Sequence, residues 1–143
     1  MASAPLGNQT PPERTHGTLD APRHHGTQVV GRQRHTTVVV FAVLLAAHVA
    51  ALYWPRVDIQ GPVTWSDKAA HVLLFLAPTV AGLLAGVRPA YFVGLLALHA
   101  PVSELAQHYL LPNRSGDPWD AVADVSGVVL GVTSVVVGRA LRR

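Results

Sequence analysis

Beyond its first 35 residues the chain alternates long apolar runs with short polar breaks. The first run, residues 36–54, reads TTVVVFAVLLAAHVAALYW, and three more follow at about residues 69–86, 90–109 and 120–138. Each approaches the roughly 20 residues that an α-helix needs to cross a hydrocarbon core about 30 Å thick. The pattern predicts an all-α membrane protein, a bundle of four transmembrane helices. Tyr53 and Trp54 close the first run, where aromatic rings settle at a headgroup interface. Pro55 and the Gly61-Pro62 pair mark a loop, and Ser66 is a candidate N-cap, with Asp67 favourably placed against the next helix dipole. Pro78 and Pro101 are expected to kink the second and third helices, and Val87-Arg88-Pro89 makes a very short turn between them. Residues 111–119 form a second polar loop, and no internal repeat is evident.

Residues 1–35 are rich in Pro, Gly, Thr, Gln, Arg and His, with almost no large apolar side chain. Such a segment cannot bury enough surface to offset its ordering entropy, so a disordered tail over 1–35 is expected ahead of a membrane domain over 36–143. It is not expected to be a secretory signal, because the apolar run starts late and lacks a small-residue cleavage site. His16, His24, His25 and His35 are too irregularly spaced to be read as a metal site. Only 13% of the chain is charged, against about 25% in an average soluble domain. The pI near 10 does not point to nucleic acid, since the basic residues are scattered and interleaved with no aromatic stripe. With no cysteine, the chain has no disulfide, thiol nucleophile or thiolate ligand.

The informative residues are the polar ones within and beside the apolar runs, because a charge at the bilayer centre costs roughly 2.5–3.5 kcal/mol on insertion scales. The second helix opens with Asp67, Lys68 and His71, spaced so that His71 faces either partner one turn earlier, and Phe75 continues the stripe. Near the end of the third helix Glu104, Gln107 and His108 share one face, His108 reading as solvated helix-end polarity. Asp117, Asp120, Asp124, Gly127, Gly131 and Ser134 form one stripe along the fourth, acidic above and small below. Gly127-x-x-x-Gly131 permits close approach of another helix, so the acids should point into the bundle. His48 and His99 are lone interruptions, and His48 reads as a histidine packed against neighbouring helices. Arg114 is expected to neutralise the aspartates after it, while Lys68 at the helix entrance can either snorkel outward or engage an anionic group in the cluster.

Lys and Arg near the spans set the orientation. Arg32, Arg34, Arg88, Arg139, Arg142 and Arg143 lie at one end, whereas Arg56, Lys68 and Arg114 at the other are offset by Asp58, Asp67, Asp117 and Asp120. The positive-inside rule places both termini in the cytoplasm and the acidic loops outside, in a multi-pass protein of the cell membrane.

Taken together, Asp67-Lys68-x-x-His71-x-x-x-Phe75, Glu104-x-x-Gln107, Arg114 with Asp117, and Asp120 with Gly127 and Gly131 resemble the VanZ-like family of small bacterial membrane proteins. Asp124 departs from the asparagine usual there. The resemblance covers about residues 66–132 and implies a four-helix membrane protein of the cell envelope, in a family with members linked to resistance to glycopeptides such as teicoplanin. Two functional classes follow from the residues. In the first, a non-enzymatic protein uses Asp67, Lys68, His71, Glu104, Gln107, Arg114, Asp117, Asp120 and Asp124 to bind an envelope lipid, a cell-wall precursor or a glycopeptide-type ligand. In the second, a membrane-embedded hydrolase or transferase acts on a lipid-linked substrate, with His71 and Glu104 as acid and base or with carboxylates and His71 around a divalent metal. In a third reading, the polar residues merely hold the helices together. The first is preferred over the enzyme because no H-E-x-x-H, G-x-S-x-G or activated nucleophile is present; it needs no metal or cofactor. Expected partners are membrane lipids and such a ligand, with no nucleic acid; a second copy of the chain is also compatible.

Overall fold

The computed structural model describes residues 24–54, 65–112, 114 and 116–143, excluding the side chains of residues 24–31. Among these the chain forms four helices and no strand: α1 His24–Tyr53, α2 Trp65–Leu84, α3 Pro89–Leu110 and α4 Pro118–Ala140. Helix α1 starts inside the segment expected to be a disordered tail. Once a long apolar helix exists, each further residue adds a hydrogen bond without a new nucleus, so the helix runs back through Gln and Arg. Thr36 and Thr37 also donate to the carbonyls of Arg32 and Gln33 one turn earlier. The remaining tail, residues 1–23, lies outside the described residues.

Local chemistry sets the other helix ends. Because α2 starts at Trp65, Ser66 lies within its first turn rather than at the cap, and Asp67 faces the helix dipole from that same turn. Its C-terminus is closed at Gly86, whose φ of +84° is costly for any residue with a Cβ. The Val87 N–H reaches back to the Gly82 carbonyl at 3.0 Å, the 6→1 bond of a Schellman closure. Pro89 then occupies the first position of α3, where a missing N–H costs nothing. Asp117 caps α4 by accepting from the Trp119 N–H at 2.9 Å, with Pro118 between them.

The helices run up and down, and α2 and α4 form the most intimate pair. Gly127 and Gly131 explain that closeness. A Cβ at Gly127 would collide with the Val72 carbonyl oxygen, and one at Gly131 would sit 2.8 Å from Thr79. The small stripe of α4 is therefore used against α2 of the same chain. Phe75, Leu52, Phe92, Leu96, Ala100 and Val128 make the apolar core.

Among the described residues three helices are long and apolar enough to cross a membrane: Arg32–Tyr53 within α1, together with α2 and α4. Helix α3 has the length, but His99, Glu104, Gln107 and His108 lower its hydropathy. Large apolar side chains cover the outside, among them Val39, Val43, Leu73, Leu95, Leu98 and Val129. So much exposed apolar surface is characteristic of a face that meets lipid or another protein. Trp54, Trp65, Tyr109 and Trp119 are all exposed at a single end of the bundle, where α1 and α3 finish and α2 and α4 begin. This arrangement resembles an interfacial aromatic belt.

Candidate functional site

Beneath that aromatic end, α2, α3 and α4 converge on one polar cluster. Lys68 sits in the first turn of α2, and its Nζ donates to Asp117 Oδ2 and to Asp120 Oδ1, both at 2.5 Å. Asp117 is the N-cap of α4 and Asp120 lies in its first turn, so one ammonium pins the start of α4 to the start of α2. The Lys68 ammonium, helped by the Trp119 N–H, holds the Asp117 carboxyl below the usual carboxylate range. Asp117 also donates its backbone N–H to Glu104 Oε2 at 3.1 Å, tying α3 to the same point.

One turn deeper, the His71 imidazole stands among three carboxylates. Its Nδ1 is 2.9 Å from Asp124 Oδ1 and 3.9 Å from Glu104 Oε1, while Nε2 is 3.8 Å from Asp120 Oδ2. This is what the spacing of three and four along each helix provides, since His71, Glu104, Asp120 and Asp124 all face inward and are buried. Asp124 has no exposed surface and Glu104 is 6% exposed. Among the described residues, Glu104 Oε1, Asp124 Oδ2 and the Gln107 amide nitrogen are buried without a hydrogen-bond partner. Buried polar atoms in folded proteins are nearly always satisfied, so these three have open capacity that ordered water, an ion or a ligand could fill.

The structure brings Lys68, His71, Glu104, Asp117, Asp120 and Asp124 together, with half-buried Asp67 beside His71 and Asp120. Gln107 lies one turn past Glu104 and is buried, whereas His108 is exposed. One role differs from the sequence reading, and for Lys68 one of two open alternatives is realised. Lys68 does not snorkel away: it is the cation that pairs with Asp117 and Asp120. Arg114 instead donates through Nη1 to the Leu52 carbonyl and through Nη2 to the Ala51 carbonyl at 3.0 Å. Those are orphan acceptors of the last turn of α1, where a cation also complements the helix dipole. A lysine can reach between helices as readily as it can snorkel, and sequence spacing alone does not choose between them.

A second polar constellation was not legible as a unit. His48 of α1 is fully buried, and its Nδ1 lies 2.9 Å from the Leu74 carbonyl of α2. Pro78, four residues on, has no N–H to give that carbonyl, so His48 supplies the missing donor. With both imidazoles neutral, one direction of donation is then fixed. His99 Nδ1 donates to His48 Nε2 at 3.2 Å, and the Tyr53 hydroxyl donates to His99 Nε2 at 3.0 Å. The available signal was Pro78, which announces an orphan carbonyl at Leu74. The partner, however, comes from another helix.

No family model, curated protein or solved structure matches this chain.

Proposed function

We propose that the chain is a VanZ-like protein of the bacterial cell envelope that crosses the cell membrane four times, α3 included, with both termini in the cytoplasm. Its polar cluster then opens outward and binds the polar headgroup of an envelope lipid or lipid-linked cell-wall precursor, or a glycopeptide-type ligand. The orientation is supported by the basic residues Arg88, Arg139, Arg142 and Arg143, which lie at the end opposite the cluster. The observation that carries the reading is the set of buried polar atoms without partners, Glu104 Oε1, Asp124 Oδ2 and Gln107 Nε2. An apolar bundle that needed only to hold together would not bury them unsatisfied.

The cations of the cluster are already engaged, Lys68 by two aspartates and Arg114 by carbonyls of α1. The open capacity therefore lies on the acidic side. Glu104 and Asp124 can accept from hydroxyl or amine groups of a headgroup, and Gln107 can donate to a carbonyl or phosphate oxygen. The test is susceptibility to teicoplanin and vancomycin in a bacterial host with and without the protein, at matched membrane expression. Protection that disappears in Glu104→Gln supports the reading; susceptibility unchanged by the wild-type protein for both drugs contradicts the glycopeptide arm. Retention of a lipid-linked precursor on the purified protein, recovered chemically intact, supports binding without turnover, and recovery of a cleaved product identifies an enzyme.

A further inference from the structure

Behind Lys68 the cluster holds more negative charge than hydrogen bonding accounts for. Lys68 pairs with Asp117 and Asp120. Deeper in, Glu104 and Asp124 are buried beside a single imidazole, and one oxygen of each has no partner. Two carboxylates in a low-dielectric interior are accommodated either by taking up a proton or by a compensating cation.

We infer that His71 Nδ1, Glu104 Oε1 and Asp124 form a site for one divalent transition cation of the zinc class, with an outward position left open. The three residues each offer a ligand atom, and these atoms lie within 4.8 Å of one another. In a tetrahedral site with ligands at about 2.0–2.2 Å, neighbouring donor atoms are roughly 3.4 Å apart. His71 Nδ1 is hydrogen-bonded to Asp124 Oδ1 at 2.9 Å and stands 3.9 Å from Glu104 Oε1, so a cation entering there would replace the shared proton with little movement of the three groups. Imidazole with two carboxylates suits zinc better than calcium or magnesium, which favour oxygen-only ligand sets. Glu104 Oε2 already accepts the Asp117 N–H, an outer contact that would hold the carboxylate in its ligating orientation. The other nitrogen of His71 faces Asp120, with Asp67 near, but Asp120 is taken by Lys68, so that side is the weaker candidate. The cation takes the Glu104 and Asp124 oxygens offered above to a headgroup, whose own oxygen would then fill the open position.

The test uses the full chain in detergent, loaded with zinc or cobalt and dialysed free of excess. Elemental analysis should give one zinc per chain, and cobalt should give the strong visible absorption of a four-coordinate site, displaced by zinc. His71→Ala and Asp124→Asn should lose the metal, whereas Asp67→Asn should keep it. One zinc still bound by folded His71→Ala would assign the metal to other histidines and overturn the proposal. No metal retained by folded wild-type protein overturns the proposal, as does loss in Asp67→Asn with retention in Glu104→Gln. A metal-free protein that still binds its headgroup ligand would overturn this inference and leave the proposed function standing.

Discussion

Lys68 and Asp120 are 52 positions apart in the chain and 2.5 Å apart in the fold. Their ion pair, shared with Asp117, is the contact by which α2 fixes the start of α4. It also sets the hierarchy of the two cations at this end of the bundle. Lys68→Ala leaves two carboxylates facing each other near a low-dielectric boundary, with Asp120 only 9% exposed at its side chain. Breaking a fully buried pair costs about 3–5 kcal/mol, and partial exposure of Lys68 and Asp117 lowers the expected loss to about 1–3 kcal/mol. Arg114→Lys gives up a forked contact to two carbonyls of α1, for an expected loss of about 1 kcal/mol. Thermal unfolding in detergent by circular dichroism should rank Lys68→Ala below Arg114→Lys.

His48 and Pro78 should be energetically coupled. If His48 stands in for the N–H that Pro78 lacks, then Pro78→Ala restores the helical donor to the Leu74 carbonyl and makes that service redundant. His48→Leu should be more damaging with Pro78 present than in the Pro78→Ala background. Hydrogen bonds inside membrane proteins average about 0.6 kcal/mol and reach about 1.7 kcal/mol, so a coupling of about that size is expected. Additive effects of the two substitutions would refute the assignment.

Gly127 is the position where the α2–α4 interface tolerates least. An added methyl meets the backbone of Val72 and Leu76, which cannot rotate away. Gly127→Ala should destabilise by about 1–3 kcal/mol or more. Gly138→Ala, at a position with open space around it, serves as the comparison and should be near neutral or slightly stabilising. Equal unfolding temperatures for the two variants would contradict the packing described.

Much of this architecture could be read from the chain. Apolar runs of spanning length gave the helices, and spacings of three and four placed His71, Glu104, Asp120 and Asp124 on inward faces. What eluded the sequence were relationships between helices. The reach of Lys68 across to α4, the engagement of Arg114 by the end of α1, and the chain from Tyr53 through His99 to His48 each join residues more than forty positions apart. Periodicity reports which way a side chain faces, not which neighbour it meets. The early start of α1 was missed because composition weighs polar residues against burial, whereas a helix already nucleated extends through them.

Because the chain has no cysteine, single introduced cysteines can report the orientation without background. Trp119 and Leu141 are both exposed, at opposite ends of α4. A membrane-impermeant maleimide should label Trp119→Cys in intact cells and Leu141→Cys only after permeabilisation. The reverse pattern would place the cluster on the cytoplasmic side.

The most direct test of whether the cluster is a site rather than glue is Glu104→Gln, read for stability and binding in one preparation. A glutamine keeps the shape, and its amide oxygen can still accept the Asp117 N–H that Glu104 Oε2 accepts now. What it removes is the charge, which faces His71 at 3.9 Å, and the acceptor at Oε1, which takes no hydrogen bond from the described residues. The account predicts an unfolding temperature close to wild type together with loss of binding to a lipid-linked cell-wall precursor in nanodiscs. Glu104→Gln that binds the precursor as wild type does, or that loses binding only because it unfolds, would contradict it.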